Sequence, residues 1–301
     1  MPRNAVRIAL VLTVVAFTLL ITYYVAHQQR VLRIRISTTT SLHAAGLLDY
    51  IAEEFTGANP GVRVEFIAVG TGAALRMAER GDVCAVLTHD PGLEKQYLEN
   101  GVIGEGRIFA YSYFILVGPA DDPANASGVT SIIMAFKMIF KSGEAGRASF
   151  VSRGDGSGTH ARELRLWSET GLNLEGATWY KDCGCGASEA LIIADELGSY
   201  TLSDLGTYLT LTKAGRLQKL KILYLNESDP MLINIYSVYV ANRCYDNERK
   251  YAEYFVDFLS SNQEELLRTF NTKKYGTAVF LPASEKEKEL KELWTSLASQ
   301  G

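Results

Sequence analysis

Residues 37–50 read STTTSLHAAGLLDY, with four hydroxyl side chains in succession from Thr38 to Ser41. The preceding VLRIRIS (31–37) alternates Leu32, Ile34 and Ile36 with Arg33 and Arg35, the period of a half-buried strand. The residues that follow place Leu42, Ala45, Leu48, Ile51 (or Ala52) and Phe55 at helical spacing. The run therefore sits where a strand becomes a helix. One hydroxyl suffices to cap a helix, so four at a single junction point to something being held there.

The same strand-to-turn-to-helix pattern recurs three times. VRVEFIAVGTGAALRMAERG gives a strand over Val62 to Ala68, the turn Gly70-Thr71-Gly72, and a helix with Ala74, Met77 and Ala78 on one side. ASFVSRGDGSGTHARELRLW gives a short strand to Ser152, a glycine-rich turn, and a helix with Ala161, Leu164 and Trp167 as its apolar face. TWYKDCGCGASEALIIADEL crosses Gly184 and Gly186 into a helix with Ala190, Ile193 (or Ala194) and Leu197. The first turn of a helix carries unpaired backbone N–H groups and the positive end of the dipole, which favour an anion. Hydroxyls add donors without charge. Any single such turn is an ordinary cap; several converging would surround a small oxygenated anion with donors.

Composition narrows the remaining classes. The 301 residues suit two lobes of ordinary size. A formal net charge of −4 without a basic run argues against a nucleic-acid surface. VGTGAAL lacks the third glycine of a dinucleotide fingerprint, and no G-x-x-x-x-G-K-[ST] occurs. A serine hydrolase is disfavoured: the positions two residues either side of Ser157 are Asp155 and Thr159, not glycine, and His160 is not placed as its base. The histidines at 27, 43, 89 and 160 have no metal-ligand spacing.

Ile8 to Ala26 runs apolar for close to the length of a bilayer span, between Arg3 and Arg7 on one side and Arg30 on the other. It is expected as an uncleaved membrane anchor or a cleaved signal peptide, with no A-x-A site evident and the rest of the chain outside the cytoplasm. The few residues before it argue against a transmembrane sensor with a cytoplasmic output domain. Cys84, Cys183, Cys185 and Cys244 allow one or two disulfides, whose pairing the sequence does not give; CGCG as a soft-metal site lacks a second ligand pair. Asn125 and Asn226 lie in N-glycosylation sequons.

STTTS with GLLDY, AVGTGAAL, HDP (89–91), FILVGP (114–119), SRGDGSGTHARELRLW, YTLSDLGTYL (200–209) and DPMLINIYSVYVAN (229–242) together resemble the tungstate-binding proteins of ABC importers. The resemblance runs from about Ile36 to Asn242 in the family's order. Two positions depart from the family: CGCGASEAL stands where members usually carry Gly-Met-Gly and a threonine, and NIY stands for the usual NPY. Ser188 is the candidate replacement for that threonine. Phosphate-binding proteins share an Arg-x-Asp-x-Ser-Gly-Thr core, matched by Arg153, Asp155, Ser157, Gly158 and Thr159. Protonated phosphate needs an acceptor, whereas a bare dianion is repelled by a facing carboxylate. The direction of Asp155, toward the ligand or toward Arg153, stays open in the sequence.

The resemblance implies an α/β, two-lobed periplasmic-binding-protein fold (type II-like) with two crossover strands, Tyr111 to Pro119 and Ile233 to Ala241. It implies one lobe over 31–116 and 236–301 and a second over 117–235, after the segment 1–30 that the apolar run sets apart. The run from Thr38 through Thr39 and Thr40 to Ser41, together with Thr71, is expected to face the cleft from the first lobe, and Arg153, Ser157, Thr159 and the 183–188 loop with Ser188 from the second. The implied ligand is tungstate, with molybdate and phosphate as alternatives. The implied partner is an ABC permease, and a monomer with neither enzymatic activity nor cofactor is expected.

Overall fold

The computed structural model describes residues 10, 12–20, 22, 31–104 and 106–299. Residues 12–20 are helical, and among the described residues no helix is long and apolar enough to cross a membrane. The expected segment 1–30 lies largely outside them.

The chain opens with β1 (Leu32–Thr39), two short helices α1 (Thr40–Ala44) and α2 (Leu47–Ala58), then β2 (Val62–Val69) and α3 (Thr71–Arg80). β3 (Ala85–Thr88), α4 (Pro91–Glu99) and the long β4 (Arg107–Pro119) follow. Next come α5 (Ile132–Glu144), β5 (Phe150–Ser152), α6 (Gly158–Thr170), β6 (Tyr180–Asp182), α7 (Ala187–Leu197), β7 (Thr201–Asp204), α8 (Leu205–Lys213) and β8 (Leu220–Tyr224). The chain closes with β9 (Ile233–Val240), α9 (Asp246–Lys274), β10 (Leu281–Pro282) and α10 (Glu287–Ala298).

The main sheet runs β10-β4-β9-β3-β1-β2. β1 is parallel to β2 over its whole length, Leu32 beside Val62 through Thr39 beside Val69, so both strands end together. β4 changes partners midway: through Tyr113 it pairs with β9, and from Phe114 with β7, and β8 joins it from Leu116. A strand covered on both faces reads as a continuous apolar run rather than an alternation, and RIFAYSYFILVGP is buried from Phe109 onward. It anchors two cores. One packs β1 and α2 (Ile34, Ile36, Leu48, Ile51, Phe55) against Phe255, Phe270 and Phe280. The other is aromatic, with Phe136 and Phe150 at 4.5 and 5.2 Å from Trp167, ring centroid to centroid. This is the mixed α/β architecture with two crossover strands expected above.

Two local readings need correction. The helix after the hydroxyl run is two helices, broken at Ala45–Gly46, although the expected face (Leu42, Ala45, Leu48, Ile51, Phe55) is buried. In α6, Ala161 and Leu164 are exposed, and the buried face carries Thr159, Arg162, Glu163, Leu166 and Trp167. Ionisable residues occupy that face because each is hydrogen-bonded there. Arg162 donates to the Met231 and Ile233 carbonyls at 3.0 and 3.4 Å, and Glu163 accepts from the Tyr180 hydroxyl at 2.6 Å. Burial of a charge is tolerated only with such partners.

Candidate functional site

The common end of β1 and β2 delivers the hydroxyl run and Gly70-Thr71 side by side, at the carboxyl ends of parallel strands where open α/β sheets bind ligands. The second lobe meets this edge with the loop Arg153–Ser157 and the start of α6. Two glycines permit the approach. A Cβ on Gly70 would lie 2.8 Å from the Asp155 carbonyl oxygen, and one on Gly158 would lie 2.7 Å from the His89 carbonyl oxygen. Both distances are shorter than any side chain tolerates, so the lobes touch backbone to backbone on two sides of the site.

Between those contacts lies a set of buried donors. Thr38, Thr39, Ser41, Thr71, Arg153, Ser157 and Thr159 are each no more than 2 % exposed. They divide into two groups. Thr39 and Ser41 bond to each other at 3.2 Å, and Ser41 reaches the His89 Nε2 at 3.3 Å. Ser157 caps α6, its Oγ accepting from the His160 N–H at 3.3 Å while its own proton stays available. By contrast, the Thr38, Thr71 and Thr159 hydroxyls and the Arg153 Nε and Nη1 have no hydrogen-bond partner. A buried polar group left unpaired costs roughly 1–3 kcal/mol. Five such atoms, drawn from both lobes, mark a place built to be completed by an acceptor.

Arg153 is directed by its neighbours. Its Nη2 donates to the Thr40 hydroxyl at 2.7 Å and to the Asp155 carboxylate. The other Asp155 oxygen accepts the Ser157 backbone N–H at 3.1 Å. Asp155 therefore turns toward Arg153 and its own loop. His160 does not serve Ser157 as a base: its Nδ1 accepts the Gly156 N–H at 3.1 Å.

His89, which the sequence offers as part of HDP and without metal-ligand spacing, is wired into the site. Its Nδ1 pairs with the Asn234 Oδ1 at 2.9 Å, and Asn234 donates to the Tyr236 hydroxyl at 2.8 Å. Burial holds its pKa down to about 4, the nearby Arg153 and Arg162 charges acting in the same direction, so the ring is neutral at pH 7. His89 and Asn234 carry no site expectation in the sequence, and Thr40 carries one only as a member of the hydroxyl run. Thr40 had the same standing as its neighbours in the run, and His89 and Asn234 become visible only when β3 and β9 are placed side by side.

Ser188 lies in the first turn of α7, half-buried, and makes no hydrogen bond to the other candidates. The Cys183–Gly186 loop leads into this helix. The Cys183 and Cys185 N–H groups donate to the Ser152 and Arg153 carbonyls at 3.1 and 2.9 Å, and a disulfide joins the two cysteines. Cys84 and Cys244 form a second disulfide, in the first lobe.

The family model for the PBP superfamily domain matches residues 25–263. The tungstate-binding protein TupA of Peptoclostridium acidaminophilum is 37 % identical over 257 residues, covering 83 % of this chain and 86 % of that protein. Among solved structures, the tungstate-binding protein TupA from Desulfovibrio alaskensis G20 superposes with a TM-score of 0.68 at 34 % identity, covering 83 % of this chain and 98 % of that one. The structure described as the tungstate ABC transporter from Geobacter sulfurreducens gives a TM-score of 0.64 at 34 % identity, over 76 % and 98 % of the two chains.

Proposed function

The chain belongs to the PBP superfamily, and we propose on that premise that it is the solute-binding protein of an ABC importer, capturing tungstate in the cleft between its lobes and handing it to a membrane permease. The observation that carries this reading is the group of five unpaired buried donor atoms on Thr38, Thr71, Arg153 and Thr159. A tetrahedral dianion presents only acceptors, so every one of those atoms can be satisfied at once. A dianion held by one guanidinium and neutral donors also needs no favourable net charge on the chain. Capture requires no covalent chemistry. Closure of the lobes buries the anion and brings Gly70 and Gly158 to their close contacts.

The orientation of Asp155 favours tungstate over phosphate. A receptor for a protonated oxyanion needs an acceptor aimed at the ligand, whereas each Asp155 oxygen here accepts from its own loop, from Arg153 or the Ser157 N–H, which supports a role in directing the guanidinium. Molybdate shares the charge and shape of tungstate and is its nearest competitor. The permease docking, the monomeric state and the role of Ser188 belong to this proposal. So does the location: the body acts outside the cytoplasm, with the apolar N-terminal run retained as an anchor. An intact-mass measurement on membrane-extracted protein tests the anchor, and a mature N-terminus between about residues 25 and 35 would rule it out.

Thermal unfolding with tungstate, molybdate, phosphate and sulfate tests the ligand. A ligand that binds only the folded state raises the melting temperature by mass action. Tungstate is expected to raise it at modest excess and phosphate is not; a response to phosphate alone would move the assignment to that anion.

A further inference from the structure

We propose that Thr40 is a positioning residue that latches the lobes together and fixes the direction of the Arg153 guanidinium; the proposal rests on the oxyanion reading of the cleft. Thr40 is the first residue of α1 and half-buried, on the first lobe, whereas Arg153 follows β5 in the second. Their hydrogen bond, Nη2 to Oγ1 at 2.7 Å, crosses between the lobes. Of the four hydroxyls in the run, Thr40 supplies the one bonded to the second lobe. Thr39 and Ser41 are engaged with each other and with His89, and Thr38 has no partner.

The geometry at Nη2 gives the latch its meaning. That nitrogen carries two hydrogens; one goes to Thr40 and the other to Asp155. Two contacts from opposite lobes therefore hold one end of the guanidinium, while Nε and Nη1 keep their hydrogens for a ligand. With Asp155 alone, on the same glycine-rich loop as Arg153, the fork has one anchor and that anchor moves with it. Arg153 thus reaches its binding direction only when the first lobe has closed onto it, which makes closure and cation placement a single event. Thr40 also abuts the other wall, its Cβ lying 4.0 Å from the position of a Cβ on Gly186. The methyl group can make that packing contact, but only the hydroxyl can accept from Arg153.

Calorimetric titration of sodium tungstate into wild type, Thr40→Val and Thr40→Ser tests this, with melting temperatures measured without anion. Thr40→Val keeps the shape and removes the acceptor. Affinity should fall by about tenfold to a hundredfold, the range of one charge-assisted hydrogen bond. Thr40→Ser should bind within about threefold of wild type, because rescue needs only the hydroxyl. All three should melt alike without anion; should Thr40→Val fail to fold, Thr40→Ala removes the same acceptor. In an Arg153→Met background, Thr40→Val should cause no additional loss, since the two side chains act as a unit. Wild-type affinity in Thr40→Val, or an equal loss in the Arg153→Met background, would overturn the latch. If wild type binds none of tungstate, molybdate, phosphate or sulfate, the oxyanion reading itself falls, an outcome distinct from failure of the latch.

Discussion

Replacing Arg153 separates ligand binding from folding. The side chain is 2 % exposed and carries the only formal positive charge among the candidate anion-binding residues. In Arg153→Met the aliphatic stem is roughly preserved while the guanidinium is removed. Two of its nitrogens, Nε and Nη1, lack protein partners, so their loss removes no hydrogen bond from the ligand-free protein. The bonds that are lost are Nη2 to Thr40 and to Asp155. Thr40 is half-buried and Asp155 retains the Ser157 N–H, so the anion-free melting temperature should change little.

Binding should respond very differently. One charge-assisted hydrogen bond in a closed cleft contributes roughly 1.5–3 kcal/mol, equivalent to about tenfold to a hundredfold in affinity. With both free nitrogens engaged by the anion, the loss in Arg153→Met should be at least about a hundredfold. Arg153→Lys keeps a charge but not the fixed planar array of donors, and should fall between the two. Isothermal titration with tungstate and molybdate measures the affinities, and differential scanning calorimetry without anion measures the stabilities. An affinity for tungstate within threefold of wild type, in a folded Arg153→Met, would refute the placement of this guanidinium at the ligand.

Three further outcomes are expected. Gly158→Ala should leave the ligand-free fold intact but abolish tungstate-induced compaction in small-angle scattering, because its Cβ would press on the His89 carbonyl oxygen at 2.7 Å in the closed form. Opening the Cys183–Cys185 disulfide should weaken tungstate binding several-fold, since its loop supports the Arg153 backbone; alkylation with peptide mapping under mild reductant should find these half-exposed thiols before Cys84 and Cys244, each 4 % exposed. Burial pushes the Glu163 carboxyl from 4.5 up to about 7, so the folded state prefers it protonated; stability should be fully present below pH 4.5 and lost as pH rises to about 7. That shift corresponds to on the order of 3 kcal/mol, and Glu163→Gln should flatten this part of the profile in urea titrations at stepped pH.

Much of the fold could be read in the sequence because periodicity records burial. β1 declared itself through Ile34 and Ile36 alternating with two arginines, and the face of α2 through Leu48, Ile51 and Phe55. The α6 face was misread because hydropathy treats Arg162 and Glu163 as solvent-facing. Their burial depends on carbonyls at Met231 and Ile233 and on the hydroxyl of Tyr180, distant in sequence and supplied only by the tertiary fold. The break at Ala45–Gly46 escaped for a related reason, since the same apolar spacing continues across it on both sides.

For the site, residue type and motif order indicated a donor-rich cleft but not the use to which each donor is put. Thr38, Thr39, Thr40 and Ser41 are nearly equivalent as letters, yet the first is unpaired, the second and fourth bond to one another, and the third spans the lobes. Successive side chains leave a strand end in different directions, so each hydroxyl meets a different neighbour. The same holds for Asp155. As a letter it suits either a protonated or a bare oxyanion; as a side chain its carboxylate is drawn to the guanidinium two residues before it and the backbone N–H two residues after it. That preference is local and electrostatic, and it commits the Asp155 carboxylate to donors of its own loop. An acidic chain can bind a dianion on these terms, because the field at the ligand is set by the few dipoles and the single charge within contact, while the distant surface carboxylates are screened by water and salt.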